Sequence, residues 1–328
     1  MAFTTIGTSG AGTIEGAVQV AIRGRRVDLR GRVFEAALLA CLVISLLVLA
    51  VLVSSVLTDG LSVYSDRGAS FLQSGVSRRA PRAGIAQGLI GSLWIAISVA
   101  LVAFPLGIGA AIYLEEYAPR NRVTSFIELN IRNLAGVPSV VYGLLGLAIF
   151  VDALHGFSSN QGVDQRTLAA AGITLAVLVL PVMIITTQES LRAVPSSLRE
   201  AAYGVGATRW EVIRKTVLPY AAPGIFTGSL LSISRAVGEA APLIVVGAFT
   251  FQTSRGNLLT PSNVFDPNNL TERFTSLPTI VSTWSKAPQE IFKVDMAAAT
   301  IIAMLAFVLV INSVAIILRN RFEKKRSG

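Results

Sequence analysis

The sequence predicts an all-α, polytopic membrane protein with six transmembrane helices. Of its 328 residues, 52% are hydrophobic and only 14% are charged. The charged residues are absent from long runs, and no segment shows the alternating pattern of a membrane β-strand. Lipid offers no hydrogen-bond partner to an exposed backbone, so spans of this length are expected to be helical.

The uncharged runs give the spans in chain order. Five are long enough to cross the ~30 Å hydrocarbon core at ~1.5 Å per residue, and these are 36–58, 83–114, 133–151, 167–188 and 296–318. A sixth, 216–254, is interrupted only by Arg235 and Glu239. The organisation that follows is a tail over 1–33, a first transmembrane helix over 34–58, a five-helix core over 84–318 and a basic tail over 319–328.

Basic residues predict the orientation. With both termini in the cytoplasm, 18 of the 28 Lys and Arg residues lie in cytoplasmic segments and nine in external ones. The positive-inside rule favours this topology. The net charge of +9 is then explained by arginines that anchor span ends to anionic lipid headgroups, and a nucleic-acid partner is not expected.

The sequence lacks the residues that disulfides, zinc sites, ATP binding and catalytic triads require. The single cysteine, Cys41, excludes an intramolecular disulfide, and the single histidine, His155, is too isolated for a zinc site. We find no phosphate-cradling G-x-x-x-x-G-K-[ST] loop and no catalytic triad. The sequence predicts no metal, no cofactor and no enzymatic activity of the chain itself.

One polar segment, 195–219, separates two apolar spans. Ser197 precedes Glu200 by three residues and Thr208 precedes Glu211 by three, so each pair is expected to form a capping box at the start of a short helix. Gly204 and Gly206 permit a turn between the two helices. Pro195 ends the preceding helix, and Pro219 is expected to mark a bend into the next span.

The order of residues in this segment, E-A-A-Y-G-V-G-A-T-R-W-E-V-I-R-K-T-V-L-P, resembles the EAA loop of ABC-transporter permeases, through which a membrane subunit docks onto its ATPase. The resemblance implies the type I ABC importer permease fold. It also implies a complex with a second, related permease, two copies of an ATPase that binds the ATP, and an external binding protein. The residues it assigns to ATPase coupling are Glu200, Ala201, Ala202, Gly206, Trp210, Leu218 and Pro219.

Further segments, within a match from about Gly84 to Arg321, resemble the phosphate-importer branch of those permeases. They are A-I-Y-L-E-E-Y-A-P at 111–119, N-I-R-N-L-A-G-V-P-S-V-V-Y-G-L-L-G-L at 130–147, A-V-P-S-S-L-R-E-A-A at 193–202 and S-R-A-V-G-E-A-A-P-L at 234–243. The resemblance implies a bacterial plasma-membrane subunit that takes up inorganic phosphate. The alternatives are another oxyanion such as sulfate or molybdate, and a stand-alone carrier driven by an ion gradient.

Arg235 is the predicted centre of an anion path. A guanidinium in an apolar span is costly, so it implies an interior or water-lined position with a partner, and Glu239 is that partner at i+4 on the same helix face. The planar fork of Arg also matches an oxyanion in a bidentate way. The alternative is an ion pair that only fixes helix packing.

The third span contains the other candidates for the path wall. Gly136, Pro138 and Gly143 are expected to interrupt its helix near Ser139 and Tyr142, which would expose backbone donors at membrane depth. An equally weighted alternative is a kink in which small residues allow close helix packing.

Two further polar features lie at or within spans. Glu115, Glu116 and Tyr117 fall at a cytoplasmic span end, where a solvated surface or a docking role accounts for them. Asn312, in the last span, is expected to form a hydrogen bond with another helix.

Overall fold

The computed structural model describes residues 29–153, 166–248, 259–271 and 273–327. Most of these residues are helical, and an isolated bridge between Thr167 and Arg273 is the only β pairing among them. The predicted all-α fold is confirmed. The chain divides into two compact units, residues 1–55 and 56–328. The predicted tail 1–33 and His155 fall mainly or wholly outside the described residues.

Helix α1 is Leu29–Arg67, which extends the predicted first span 34–58 at both ends. Its residues up to Ser55, in the first unit, expose their leucine and valine side chains, as suits a surface facing lipid. In the second unit, Tyr64 donates a hydrogen bond of 2.8 Å to the carbonyl of Ala299. Helix α2, Ala69–Gln73, follows after Gly68, whose φ is 52°.

Helices α3, Ala86–Ile112, and α6, Leu168–Arg192, form the centre of the second unit. They approach closely because small residues face the partner: a Cβ on Gly172 would lie 2.5 Å from the Cβ of Ser98. Most of the apolar part of α6 is buried inside the protein. Helix α3 continues into a π turn, Tyr113–Tyr117, at the end predicted to be cytoplasmic.

The third span is a bent pair of helices. Helix α4, Arg122–Ala135, begins at Asn121, whose side chain accepts a 2.9 Å hydrogen bond from the Thr124 N–H. Helix α5, Ser139–Gly146, extends through a π turn and is bent by 101° from α4. The stretch 133–151 is therefore not one straight span, and residues 139–151 rise only about 20 Å. Among the described residues, five helices are long and apolar enough to span a membrane, and the bent pair is the sixth candidate.

The polar segment and the following span form one run of helices. Helices α7, Ser196–Gly204, and α8, Arg209–Val212, are short. A π turn, Ile213–Val217, joins α8 directly to α9, Leu218–Gly238. The predicted span 216–254 is thus broken after Gly238, and the six-residue helix α10, Ala241–Val246, follows. Gly247 ends α10 with a φ of 101°, which favours glycine.

The remaining helices lie between α10 and the end of the described residues. Helix α11 is Pro261–Val264, α12 is Leu277–Trp284 and α13 is Ala297–Ser327, preceded by a π turn, Phe292–Met296. Trp284 packs against Phe292 with ring centroids 5.5 Å apart. The prediction for Asn312 is confirmed, since its Oδ1 accepts a 2.5 Å hydrogen bond from Ser234 of α9.

Candidate functional site

The predicted coupling loop, residues 195–219, begins at Pro195. The prediction of a capping box between Ser197 and Glu200 is wrong, because the N-cap of α7 is Pro195, two residues before Ser197. Pro195 has no side-chain acceptor, and no side-chain cap bond forms at this end. Ser197 therefore lies inside the first turn of the helix. The proline still separates α7 from α6, which ends at Arg192.

The second capping box is confirmed. The Glu211 N–H donates to the Thr208 hydroxyl at 3.4 Å, and the Thr208 N–H donates to the Glu211 carboxylate at 3.1 Å. The bond from the Thr208 backbone, helped by Lys215 at 3.0 Å, lowers the pKa of Glu211 to about 2. Gly206, in the turn before α8, has a φ of 83°, which only glycine adopts at low cost.

The outer surface of the loop presents apolar side chains to solvent. Trp210 is 54% exposed and Val205 is 86% exposed, and Tyr203 and Leu198 are also exposed. Large exposed apolar side chains gathered on one short segment are typical of a protein interface. Among the residues predicted to couple, Glu200, Ala201, Gly206, Trp210 and Pro219 are exposed, while Ala202 and Leu218 are partly buried.

Pro219 does not bend the chain away from α8, contrary to the prediction. The helix runs continuously from Arg209 to Gly238. Pro219 lacks an N–H, so the carbonyl of Lys215 has no α-helical partner there, and Lys215 lies within the π turn. The local change of helix type accommodates the proline without a break.

The inner surface of the loop is a small apolar core. Leu191, Val194, Val212 and Val217 are buried together, with partly buried side chains from α3 packed against them. The loop thus has a buried face that attaches it to the helices and an exposed face that meets solvent.

Acidic residues at the end of α3 also hold the loop. The Glu115 carboxylate accepts a 2.8 Å bond from Arg192, and the Glu116 carboxylate accepts a 2.9 Å bond from Arg199. Arg209 donates to the carbonyl of Glu116. The sequence alone predicted no specific partner for these acidic residues. The signal that could have found one was a pair of carboxylates at a predicted cytoplasmic end where the other loops are basic.

Arg235 and Glu239 form the predicted ion pair, with Arg235 Nε and Glu239 Oε1 3.5 Å apart. They do not share one helix face, because α9 ends at Gly238 and Glu239 has an extended conformation. The side chain of Arg235 is 49% exposed and that of Glu239 is 22% exposed. Arg235 lies in the last turn of α9, where the carbonyl dipoles favour a cation.

The other candidate residues for the path lie at or just after the break before α5. Pro138 is exposed in the N-cap position, and Ser139, partly buried, begins the helix. Tyr142 is buried, and its hydroxyl donates a 2.8 Å bond to the carbonyl of Leu134, across the bend. Gly143 does not interrupt the helix, contrary to the prediction, because it lies inside α5. Within the described residues, the polar contact of the Arg235 side chain is with Glu239 and that of Tyr142 is with Leu134, so Arg235 and Tyr142 do not bond to each other.

A groove of about 610 Å³ runs between α6 and α9. On α9 it is lined by Tyr220, Gly224, Thr227 and Leu231, whose spacing of four, three and four residues places them on one helix face. Arg235 continues this face one turn beyond Leu231. On α6 the lining includes Glu189.

Metal chemistry has no candidate in the described part of the chain. No group of three His, Cys, Asp or Glu side chains is placed to hold an ion there. Cys41 is a free thiol in α1.

Comparison with known proteins identifies the family. Residues 103–328 match the family model "Binding-protein-dependent transport system inner membrane component". The chain is 34% identical over 235 residues to the probable ABC transporter permease protein YqgI of Bacillus subtilis, covering 69% of this chain and 76% of the relative. It is 37% identical over 227 residues to the phosphate transport system permease protein PstA of Mycobacterium leprae, covering 68% and 67%. It is also 36% identical over 247 residues to PstA 1 of Mycobacterium tuberculosis H37Rv, covering 74% and 72%.

Solved structures show the same fold at low sequence identity. A bacterial alginate ABC transporter, solved with its alginate-bound periplasmic protein, superposes with a TM-score of 0.60 at 16% identity, covering 87% of this chain and 93% of that chain. An inward-facing MetNI methionine ABC transporter gives 0.55 at 16% identity, covering 73% and 95%. The predicted importer permease fold is confirmed. The chain therefore belongs to the family of binding-protein-dependent transport system inner membrane components, and it is a permease of an ABC importer.

Proposed function

We propose that the chain is the permease subunit of an ATP-driven importer of inorganic phosphate. The observation that carries the proposal is a half-exposed arginine, Arg235, near the end of an apolar membrane helix. Relatives named as phosphate transport permeases, at 36 to 37% identity, support phosphate as the substrate. Another oxyanion, such as sulfate or molybdate, is the nearest competitor.

The geometry of Arg235 suits a transient anion site. Its pair with Glu239 is long, at 3.5 Å, and involves Nε, while its two terminal nitrogens form no ion pair with the described residues. Those nitrogens carry N–H donors in the planar arrangement that matches an oxyanion. Glu239 compensates the charge when no anion is present, so the site is expected to bind phosphate weakly enough to release it.

The groove between α6 and α9 supports an inward route from that site. Its α9 face alternates small and hydroxyl-bearing side chains, Gly224, Thr227 and Tyr220, on the cytoplasmic side of Arg235. Thr227 also accepts a 3.3 Å hydrogen bond from Arg319, so a cation lies beside these polar groups. Glu189, in the same lining, repels an anion. An anion that leaves Arg235 along this groove would meet a second cation, Arg319 at Thr227, together with the opposing charge of Glu189.

The partners follow from the two exposed surfaces. A half-exposed guanidinium within an apolar span requires a covering of water or protein. We assign that covering to a second, related permease subunit, which would supply the opposite wall of the path. We assign the exposed face of the coupling loop to one of two copies of an ATPase in the cytoplasm, which hydrolyse the ATP. A phosphate-binding protein would deliver the anion from outside.

Transport by the assembled complex tests the proposal. Proteoliposomes containing both permeases and the ATPase, with binding protein outside and ATP inside, should take up radiolabelled phosphate. A 100-fold excess of sulfate or molybdate should leave the rate nearly unchanged. Omission of the binding protein and replacement of ATP by a non-hydrolysable analogue are the controls. Abolition of uptake by excess sulfate would reassign the substrate, and uptake driven by an ion gradient without ATPase would favour the carrier alternative.

A further inference from the structure

The turn at the end of α3 places three consecutive residues against three different helices, α6, α7 and α8. Glu115 reaches Arg192 at the end of α6, and Glu116 reaches Arg199 in α7. The ring of Tyr117 lies under the guanidinium of Arg209, at the start of α8, with 4.9 Å to the ring centroid. We call Glu115, Glu116 and Tyr117 the acidic turn.

The local backbone explains this divergence. Tyr113–Tyr117 is a π turn, and the following Ala118 is extended, so the helix ends immediately after the three residues. Consecutive residues of a helix point in directions about 90° to 100° apart. One turn of helix therefore reaches three separate elements, which a single row of side chains along a helix face would not do.

The bond between Glu116 and Arg199 is the most enclosed of these contacts. The Glu116 side chain is 12% exposed and that of Arg199 is 27% exposed, whereas the Lys215 side chain, in the ion pair within the loop, is 70% exposed. Arg199 also donates a 2.8 Å bond to the carbonyl of Leu191, near the end of α6. Removing one partner would leave a charge poorly solvated, so this contact is worth more than an exposed pair.

Directional contacts complement the apolar core beneath the loop. Apolar contacts are non-directional and permit one surface to slide over another. Charge-assisted hydrogen bonds fix distance and direction. The core attaches the loop to the helices, and the acidic turn fixes its orientation relative to α3.

We propose that the acidic turn is the connection through which a displacement of the coupling loop reaches α3, with Glu116 and Arg199 as positioning residues for coupling. The inference rests on the proposed docking of an ATPase onto this loop. An ATPase that pulls α7 and α8 would move α3 with them. With the connection cut, the loop would follow the ATPase while α3 lags behind, and ATP would be hydrolysed with little transport.

A distance measurement tests the connection without any assumption about the substrate. Spin labels at Leu106→Cys on α3 and Ser197→Cys on α7, outside the apolar docking face, should give one narrow distance distribution in the purified complex in a Cys41→Ala background. Glu116→Arg should broaden or shift it, and Glu116→Arg combined with Arg199→Glu should restore it. Lys215→Gln breaks an ion pair that does not reach α3, so it should leave the distribution narrow. An unchanged distribution in Glu116→Arg would overturn the proposal.

The functional measurement separates this inference from the proposed function. In proteoliposomes, Glu116→Arg should co-purify the ATPase normally and keep its hydrolysis, while the phosphate transported per ATP falls by about tenfold. The double exchange should recover most of that loss, which a merely structural role of either residue would not predict. Glu116→Gln, a milder change, serves if the reversed charge prevents folding. If Glu116→Arg transports with normal stoichiometry, the acidic turn is not the connection, although the permease function stands. If the wild-type complex transports no phosphate, the proposed substrate fails, and the distance measurement still decides the role of the acidic turn.

Discussion

Gly143 of α5 lies directly against the backbone of Pro242 in α10. A Cβ placed on Gly143 would come within 2.7 Å of the Pro242 Cα and 3.1 Å of its carbonyl oxygen. Helix α5, which follows the break after α4, and helix α10, which follows the break after α9, therefore pack against each other at backbone distance. Glycine is the residue that permits this approach.

Replacing Gly143 by Ala should destabilise the protein, because the added methyl meets rigid backbone. We expect a loss of about 1 to 3 kcal/mol in stability, typical of an overpacked site. Thermal denaturation of the purified complex measures it. Gly109→Ala is the matched control, since Gly109 lies in α3 and a Cβ added there would have no neighbouring atom within 4 Å. An equal effect in both variants would contradict a specific role for the contact with Pro242.

Replacing Gly206 by Val should impair coupling while leaving the protein in the membrane. A β-branched residue at a φ of 83° costs about 1 to 2 kcal/mol or more, so the turn between α7 and α8 should distort. Substrate-stimulated ATPase activity is the measurement. Gly204→Ala, at the end of α7 in open space, is the control and should behave as wild type.

Replacing Trp210 by Ala should weaken the ATPase complex. Exposed tryptophans often supply much of the energy of an interface, so we expect a loss of at least about tenfold in affinity. Titration of purified ATPase onto the permease pair in detergent measures the change. Retention of wild-type affinity would assign Trp210 to the membrane surface.

The pair of Arg235 and Glu239 is tested by three variants. Arg235→Gln should abolish uptake without loss of assembly. Glu239→Gln should either destabilise the subunit, by about 3 to 5 kcal/mol for a broken buried pair, or slow turnover by trapping the anion; the half-exposure of Arg235 favours the second result. If Arg235 meets the substrate, the double variant stays inactive. Recovery of uptake in the double variant would show that the pair is structural.

The orientation of the chain is tested by thiol labelling in a Cys41→Ala background. A cysteine at Ser285, which is exposed after α12, should react with a membrane-impermeant reagent from outside. A cysteine at Ser197, in the coupling loop, should react only after permeabilisation. The reverse pattern would place the loop outside the cell and remove the proposed contact with an ATPase.

Spans and caps that depend on local sequence were predictable. Uncharged runs located the long helices because burial in lipid is decided residue by residue. The Thr208–Glu211 box was predictable for the same reason, since both partners lie within one turn. The Ser197–Glu200 box satisfied the same spacing, but the helix has its N-cap at Pro195, two residues earlier.

Breaks and long-range contacts were not predictable in the same way. Gly238 and Pro242 are typical of a helix end, but the apolar run continues through them, so Glu239 was placed on the helix face with Arg235. The 101° bend before Ser139 was predicted only as an interruption of the helix, because glycine and proline indicate a break without giving its angle. The partners of Glu115 and Glu116 lie more than 70 residues away, and no spacing rule connects them.

The π turn at Ile213–Val217 determines how the side chain of Trp210 is rotated around the helix axis relative to the groove face of α9. A π turn contains one residue more than an α turn, and one residue corresponds to about 100° of rotation about the helix axis. Trp210 lies before this turn, and the face that carries Thr227 and Arg235 lies after it. Loss of the extra residue would rotate the Trp210 side chain by about 100° around the helix axis, relative to the face that carries Thr227 and Arg235, without removing any helix.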